Sequence, residues 1–304
     1  MLPQRLQLEL KRYGPDGSAP PPSRGEAQNY CRELAQSHYE NFTVASWLLP
    51  RGVRQHFCNL YAYCRWADDL ADELPSPAES LALLDWWQSE LLALYASPSP
   101  APRHPVFIAL KETIRQFDIP RQPFLDLLAA FRQDQAKFRY QTWEELHDYC
   151  RHSANPVGRL VLHLARTADE EAVQQSDSIC TGLQLANFCQ DVARDFDRGR
   201  IYLPQADCRR FQFEEPQFAQ RQATDAFRSL LAEQVQKAEV LLRGGQTLPR
   251  LLPREFRLPV GLFARGGVAI LAAIRRQRYD VWTRRPVVGK WRKLWLVMQG
   301  VFGG

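Results

Sequence analysis

Apolar positions recur along this chain at three- and four-residue steps, the spacing that lines one face of an α-helix. The rhythm predicts helices over residues 27–47, 51–74, 78–95, 104–117, 121–135, 142–166, 168–194, 216–244 and 255–283. Ser76-Pro77 and residues 96–105 interrupt it as loops. Arg198-Gly199-Arg200, with Pro204 beyond, closes the seventh helix. No useful stretch alternates with the two-residue period of a strand. The expectation is an all-α protein with one main domain over residues 27–293. A flexible leader, residues 1–26, precedes it, because GPDGSAPPPSRGE (14–26) offers little to bury. Residues 294–304 form a tail.

Against this apolar rhythm stand two pairs of aspartates, each four residues apart. Asp68 and Asp72 lie in AYCRWADDLADE, and Asp191 and Asp195 in LQLANFCQDVARDFD. A four-residue step stacks both carboxylates of a pair on one helix face. Carboxylates are normally kept off apolar faces. Two such helices facing each other make a cage of hard oxygens, suited to Mg²⁺ holding a diphosphate. The competing reading is a solvated face: Arg65 stands near Asp68 and Asp69, and Arg194 and Arg198 near the second pair. Tyr61, Arg65, Asp68 and Asp72 share the first face, where Arg65 supplies a planar fork for phosphate. Tyr63 is assigned to core packing. On the second helix Gln184, Asn187, Asp191 and Asp195 form a polar stripe expected to be buried and satisfied by metal, diphosphate, water or a polar network. Arg194, Arg198, Arg200 and Tyr202 flank it as diphosphate ligands or surface ion-pair residues.

A third feature is DYCRHSANPVGRL (148–160). Pro156 inside a helical run kinks it and frees carbonyls one turn back, while Gly158 permits a close approach. With Ser153 and Asn155, those carbonyls are suited to placing a water or easing a carbocation; a kink for packing alone is the alternative.

The net charge of +5 suits a polyanionic ligand or an anionic surface, though plain solubility explains it equally. No basic cluster is joined to a nucleic-acid motif, which argues against DNA or RNA as partner. The seven cysteines show no CxxC pair and no zinc spacing, and are expected to be buried thiols in a reducing cytosol. The sequence shows no secretory signal and no stretch of membrane-spanning length. Dinucleotide, P-loop, nucleophile-elbow and HExxH motifs are missing.

These residues resemble the squalene and phytoene synthases, which join prenyl chains head to head. The resemblance spans roughly residues 27–293. Asp68-x-x-x-Asp72 is similar to the family's first aspartate-rich motif. Gln184-x-x-Asn187-x-x-x-Asp191-x-x-x-Asp195, followed by Arg200-Ile201-Tyr202-Leu203-Pro204, is similar to its second. ILAAIRRQRYDVWTRRP, with Lys290 after it, resembles the last helix. HYENFTVASWLLP (38–50) and YCRHSANPVGRLVLHL (149–164) resemble more closely the hydroxysqualene synthases of bacterial hopanoid pathways. Ala154-Asn155-Pro156 stands where most members carry Ala-Gly.

The resemblance implies an isoprenoid synthase helical bundle with a central cavity and three Mg²⁺ ions. Asp68, Asp72, Asn187, Asp191 and Asp195 are then metal ligands and the four aspartates catalytic; Asn155, a departure from the family pattern, is expected to join them because the Ser153–Pro156 kink is suited to placing the water. Tyr61, Arg65, Ser153, Gln184, Asn187, Arg194, Arg200 and Tyr202 contact substrate. The subgroup implies conversion of presqualene diphosphate to hydroxysqualene with water as nucleophile and no NADPH. A partner synthase supplies presqualene diphosphate, and a flavin-dependent reductase consumes the alcohol. The alternatives are condensation of two farnesyl diphosphates to presqualene diphosphate and a non-catalytic scaffold of the same fold. A thirty-carbon product implies cytoplasmic work at the inner face of a bacterial membrane. Trp282, Trp291, Leu294, Trp295 and Val297, with Arg284, Arg285, Lys290, Arg292 and Lys293, form a basic, aromatic tail suited to that interface. A C-terminal helix docked on the core is the competing reading.

Overall fold

The computed structural model describes residues 4–37 and 49–289. The all-α expectation holds: among the described residues the only β pairing is an isolated parallel bridge between Arg139 and Ile201. The described chain falls into two compact units. One takes Met1–Ala136 with Leu160–Arg166; the other takes Lys137–Arg159 with Thr167–Gly304.

The first unit contains α1 (Gln4–Tyr13), α2 (Arg24–Ser37), α3 (Arg51–Asp72), α4 (Pro77–Leu94), α5 (Pro105–Phe117) and α6 (Gln122–Gln133). Helix starts follow local chemistry. Ser76 caps α4 by accepting the Glu79 N–H, and Pro77 takes the first position, where its missing donor costs nothing. Residues 4–13, assigned to the flexible leader, form α1 instead. Leu6 is buried, and Tyr30 donates to Glu9 Oε2 at 2.9 Å, so this segment has an apolar and a polar anchor. Trp66 Nε1 donates in turn to the Tyr30 hydroxyl at 2.9 Å. Tyr63 lies in the core against Trp87, Phe107 and Phe124, as expected. His104 caps α5 through Nδ1, which accepts the Val106 N–H at 3.1 Å. Its ring is enclosed by Tyr13, Tyr30, Trp66, Trp86, Trp87 and Phe107.

The second unit holds α7 (Trp143–Ser153) and the start of α8 (Asn155–Leu164), whose residues from Leu160 on count with the first unit. It continues with α9 (Glu170–Gln190), α10 (Val192–Asp197), α11 (Gln205–Arg210), α12 (Glu215–Phe218), α13 (Asp225–Gly244), α14 (Leu248–Leu251) and α15 (Arg254–Arg276). Helix α9 packs along α13 and α15. Gly182 makes that approach possible: a Cβ there would lie 2.8 Å from Leu242 Cγ and 3.1 Å from the Ala238 carbonyl oxygen.

Three expected helices are divided. The 142–166 run breaks at Ala154 (φ −117°), and Pro156 becomes the second residue of α8, where no N–H is needed. The 168–194 run pauses at Asp191. The 216–244 run is interrupted between α12 and α13, where Arg221 takes φ 51°. The predicted 255–283 helix ends at Arg276. Beyond Ser37, the 27–47 prediction falls on residues outside the described ones.

One further correction concerns α15. Against the expectation of no membrane-length stretch, this 23-residue helix is long and apolar enough to cross a bilayer by length and composition. Half of its apolar window is buried inside the protein, as in a core helix.

Candidate functional site: two aspartate motifs

Helix α3 carries the first motif. Arg65 Nη1 lies 3.1 Å from Asp68 Oδ2, and Nη2 pairs with Asp69. This ion pairing is the alternative anticipated for Arg65. Its Nε is buried without a hydrogen-bond partner. Asp68 and Tyr61 are half-buried, while Asp72, the last residue of α3, is exposed. Burial raises the Tyr61 hydroxyl pKa, partly opposed by Arg65.

The second motif occupies the α9–α10 junction. Asp191 leaves helical geometry (φ −106°, ψ 16°), yet Asp195 N still donates to Asp191 O at 2.9 Å. The four-residue step therefore survives the pause. Burial, reinforced by the Asp191 charge, pushes Asp195 up to about 7, against the opposing pull of Arg198, Arg200 and Arg194. The Arg198 and Arg200 amides both donate to the Asp195 carbonyl, and Gly199 takes φ 75°, which reverses the chain. Asp195 and Arg200 line a small cleft with Phe188, Val192, Tyr202 and Phe218.

The polar stripe is not buried as expected. Asn187 is exposed and Gln184 half-buried, so solvent satisfies part of it. Arg194 is exposed, 3.8 Å from Asp191. Tyr202 is 9% exposed, with its ring stacked 3.9 Å from Phe188 and near Tyr140 and Tyr149. It is therefore chiefly part of an aromatic core.

At the α7–α8 break, Asn155 is 2% exposed, and its Oδ1 accepts from Thr181 Oγ1 of α9 at 2.8 Å. The nearby Ser153 Oγ is buried with no hydrogen-bond partner. The close approach foreseen at Gly158 is to a neighbour: a Cβ there would lie 2.3 Å from Ser176 Oγ and 2.5 Å from Cys180 Sγ. Arg159 and Asp177 tie the same two helices by a paired ion bridge at 3.0 and 2.6 Å.

Sequence reasoning missed Gln190 and the partner of Arg285. Of the two readings for the start of the tail, docking on the core holds here, without a helix: the Arg285 guanidinium grips both Asp191 oxygens. Trp282, from the same stretch, packs against Phe196, Phe218 and Phe227. No local signal in the sequence joins Arg285 to Asp191, which lies 94 positions away. Lys290, Trp291, Arg292, Lys293, Leu294, Trp295 and Val297 lie outside the described residues, as do 38–48 of the 38–50 segment. All seven cysteines are free thiols, and burial pushes Cys64, Cys150, Cys180, Cys189 and Cys208 up to about 12.

Asp68 and Asp72 belong to the first unit, and Asn155, Gln184, Asn187, Asp191 and Asp195 to the second. Among the described residues, no three His, Cys, Asp or Glu side chains gather into a metal cluster. That does not conflict with Mg²⁺, which takes one or two carboxylates and keeps several waters. The hard oxygens of each aspartate pair, and the charge crowding at Asp195, fit it chemically.

The profile of the squalene/phytoene synthases matches residues 35–292. The chain belongs to the squalene/phytoene synthase family. Members are terpenoid synthases that use prenyl diphosphates such as farnesyl diphosphate. The chain is 38% identical to a hydroxysqualene synthase of Sinorhizobium fredii, over 75% of this chain and 76% of that one. It is 30% identical to a phytoene synthase of Arthrospira platensis, over 90% and 92%. The crystal structure of squalene synthase HpnC from Alicyclobacillus acidocaldarius superposes with a TM-score of 0.80 at 44% identity, covering 84% of this chain and 96% of that one. The helical isoprenoid synthase fold of the family is thus the fold of this protein.

Proposed function

We propose that this family member converts presqualene diphosphate to hydroxysqualene, releasing diphosphate and capturing the carbocation with water, in squalene and hopanoid synthesis. The observation that carries the reading is graded similarity. The chain is 44% identical to the HpnC structure and 38% identical, over 75% of its length, to the hydroxysqualene synthase, against 28–33% to three phytoene synthases over 88–95% of its length.

In this reading Asp68, Asp72, Asn187, Asp191 and Asp195 hold Mg²⁺, three ions by resemblance. Bound Mg²⁺ draws negative charge off the leaving diphosphate. Arg65, Arg194 and Arg200 add guanidinium donors for diphosphate oxygens. Tyr61 and Gln184 border the same motifs. Rearrangement and water capture consume no hydride, so no NADPH is required. Ser153 is the better candidate than Asn155 for placing the water. Its buried hydroxyl has no protein partner, whereas the Asn155 oxygen is engaged by Thr181. We also propose peripheral work at the inner bacterial membrane, with a synthase supplying the substrate and a flavin-dependent reductase taking the product.

The test is a product assay with purified protein and Mg²⁺, without NADPH, supplying presqualene and farnesyl diphosphates separately. Hydroxysqualene from presqualene diphosphate alone is the expected result. Presqualene diphosphate formed from farnesyl diphosphate overturns it in favour of condensation, and no turnover of either favours a scaffold. Asp191→Ala should abolish turnover while leaving the helical circular dichroism intact; full activity removes the metal assignment.

A further inference from the structure

One carboxylate of the second aspartate motif, Asp191, is already paired by the protein itself. Arg285 Nε donates to Asp191 Oδ1 at 2.5 Å and Nη2 donates to Oδ2 at 2.8 Å, so one guanidinium edge spans the whole carboxylate. The pair is well shielded, with side chains 12% exposed for Asp191 and 26% for Arg285. Gln190, 6% exposed, bonds to both the arginine and the residue after it. Its Oε1 accepts from Arg285 Nη2 at 3.2 Å, and its Nε2 donates to the Pro286 carbonyl at 2.5 Å. One buried amide thus fixes the arginine and the backbone that follows it.

Upstream chain geometry delivers the arginine. Asp280 accepts from the Trp282 and Thr283 amides and from the Thr283 hydroxyl, which makes a tight turn after α15. Trp282 is then anchored among Phe196, Phe218 and Phe227. Arg285 enters from a built support, not from a loose tail.

We propose that Arg285, positioned by Gln190, is the resident counter-cation of the second motif, and that a divalent cation ligates Asp191 only by displacing it. The inference rests on the metal role assigned to Asp191 above. Both carboxylate oxygens are committed to the guanidinium, and a cation approaching those oxygens meets a positive charge first. Exchange of one for the other keeps the buried carboxylate paired throughout, and leaving it unpaired would be costly.

The test is calorimetric titration of MgCl₂, without any diphosphate, into the parent protein, Arg285→Gln and Gln190→Leu, with Asp191→Asn as control. Melting curves with and without Mg²⁺ accompany it. Both loosened variants should bind Mg²⁺ about tenfold tighter, the factor that corresponds to removing one modest competing ion pair. Mg²⁺ should also raise their melting temperatures more than the parent's. A purely structural role lowers melting temperature and leaves Mg²⁺ affinity unchanged, and that result overturns the inference while the metal reading stands. If Gln190→Leu does not fold, Arg285→Gln, altered at a partly exposed position, decides alone. Absence of Mg²⁺ binding to every protein with MgCl₂ alone overturns the inference; absence that persists with inorganic diphosphate present overturns the metal role as well.

Discussion

Asn155 and Ser153 are two residues apart and have opposite roles in the polar accounting of this molecule. The Asn155 side-chain oxygen accepts a hydrogen bond from the Thr181 hydroxyl, joining α8 to α9. Asn155→Ala should cost about 1–2 kcal/mol by orphaning that hydroxyl, seen as a melting point lowered by a few degrees. Thr181→Val in the Asn155→Ala background should recover part of the loss. Ser153→Ala should behave differently. It removes a buried hydroxyl that has no partner, so stability should hold or rise. The hydroxysqualene fraction of the product should fall if that hydroxyl places the water; an unchanged product ratio removes Ser153 from the role. The sequence announced both residues through Pro156, but not which was already engaged. That distinction depends on Thr181, which is distant in sequence and carries no motif.

At the scale of helices, most of the architecture was legible because apolar period and caps agree. Ser76-Pro77 and Thr142 start helices where the pattern resumes. The pause at Asp191 was not legible, since LQLANFCQDVARDFD carries neither glycine nor proline. Nor was the exposure of Asn187, which depends on how α9 lies against its neighbours. The start of α5 leads to a pH prediction. His104 is walled in by aromatic rings, and burial pushes its pKa down to about 3. Its ordinary value is about 6.5 in an unfolded chain. Below that value the unfolded chain takes a proton that the folded imidazole refuses, so stability falls as pH drops from about 6.5 toward 3. Urea unfolding at several pH values should show this slope, and His104→Phe should flatten it. An equal slope in both proteins rules out His104 as its source.

For the molecule as a whole, ligand binding should register in stability. A ligand held only by the folded state adds about 2.7 kcal/mol at a hundred times its Kd. Mg²⁺ with inorganic diphosphate should therefore raise the melting temperature by several degrees, at about 2–4 °C per kcal/mol for chains of 150–250 residues. Asp68→Ala and Asp191→Ala should each reduce the rise. A shift retained in both variants places the ligand elsewhere. At this scale the family was legible from its two motifs because a four-residue acidic step is a local pattern. Arg285 was not, because it returns to Asp191 across 94 positions of chain.

Helix α15 sets a hazard for the chain's lifetime. It satisfies the length and composition of a bilayer span, and the folded protein hides half of that apolar window. Unfolding beside a lipid surface would therefore release a segment for which the bilayer competes with refolding. Recovery of activity after a heat pulse should then be lower with lipid vesicles present than in dilute buffer, and equal recovery removes this role from α15.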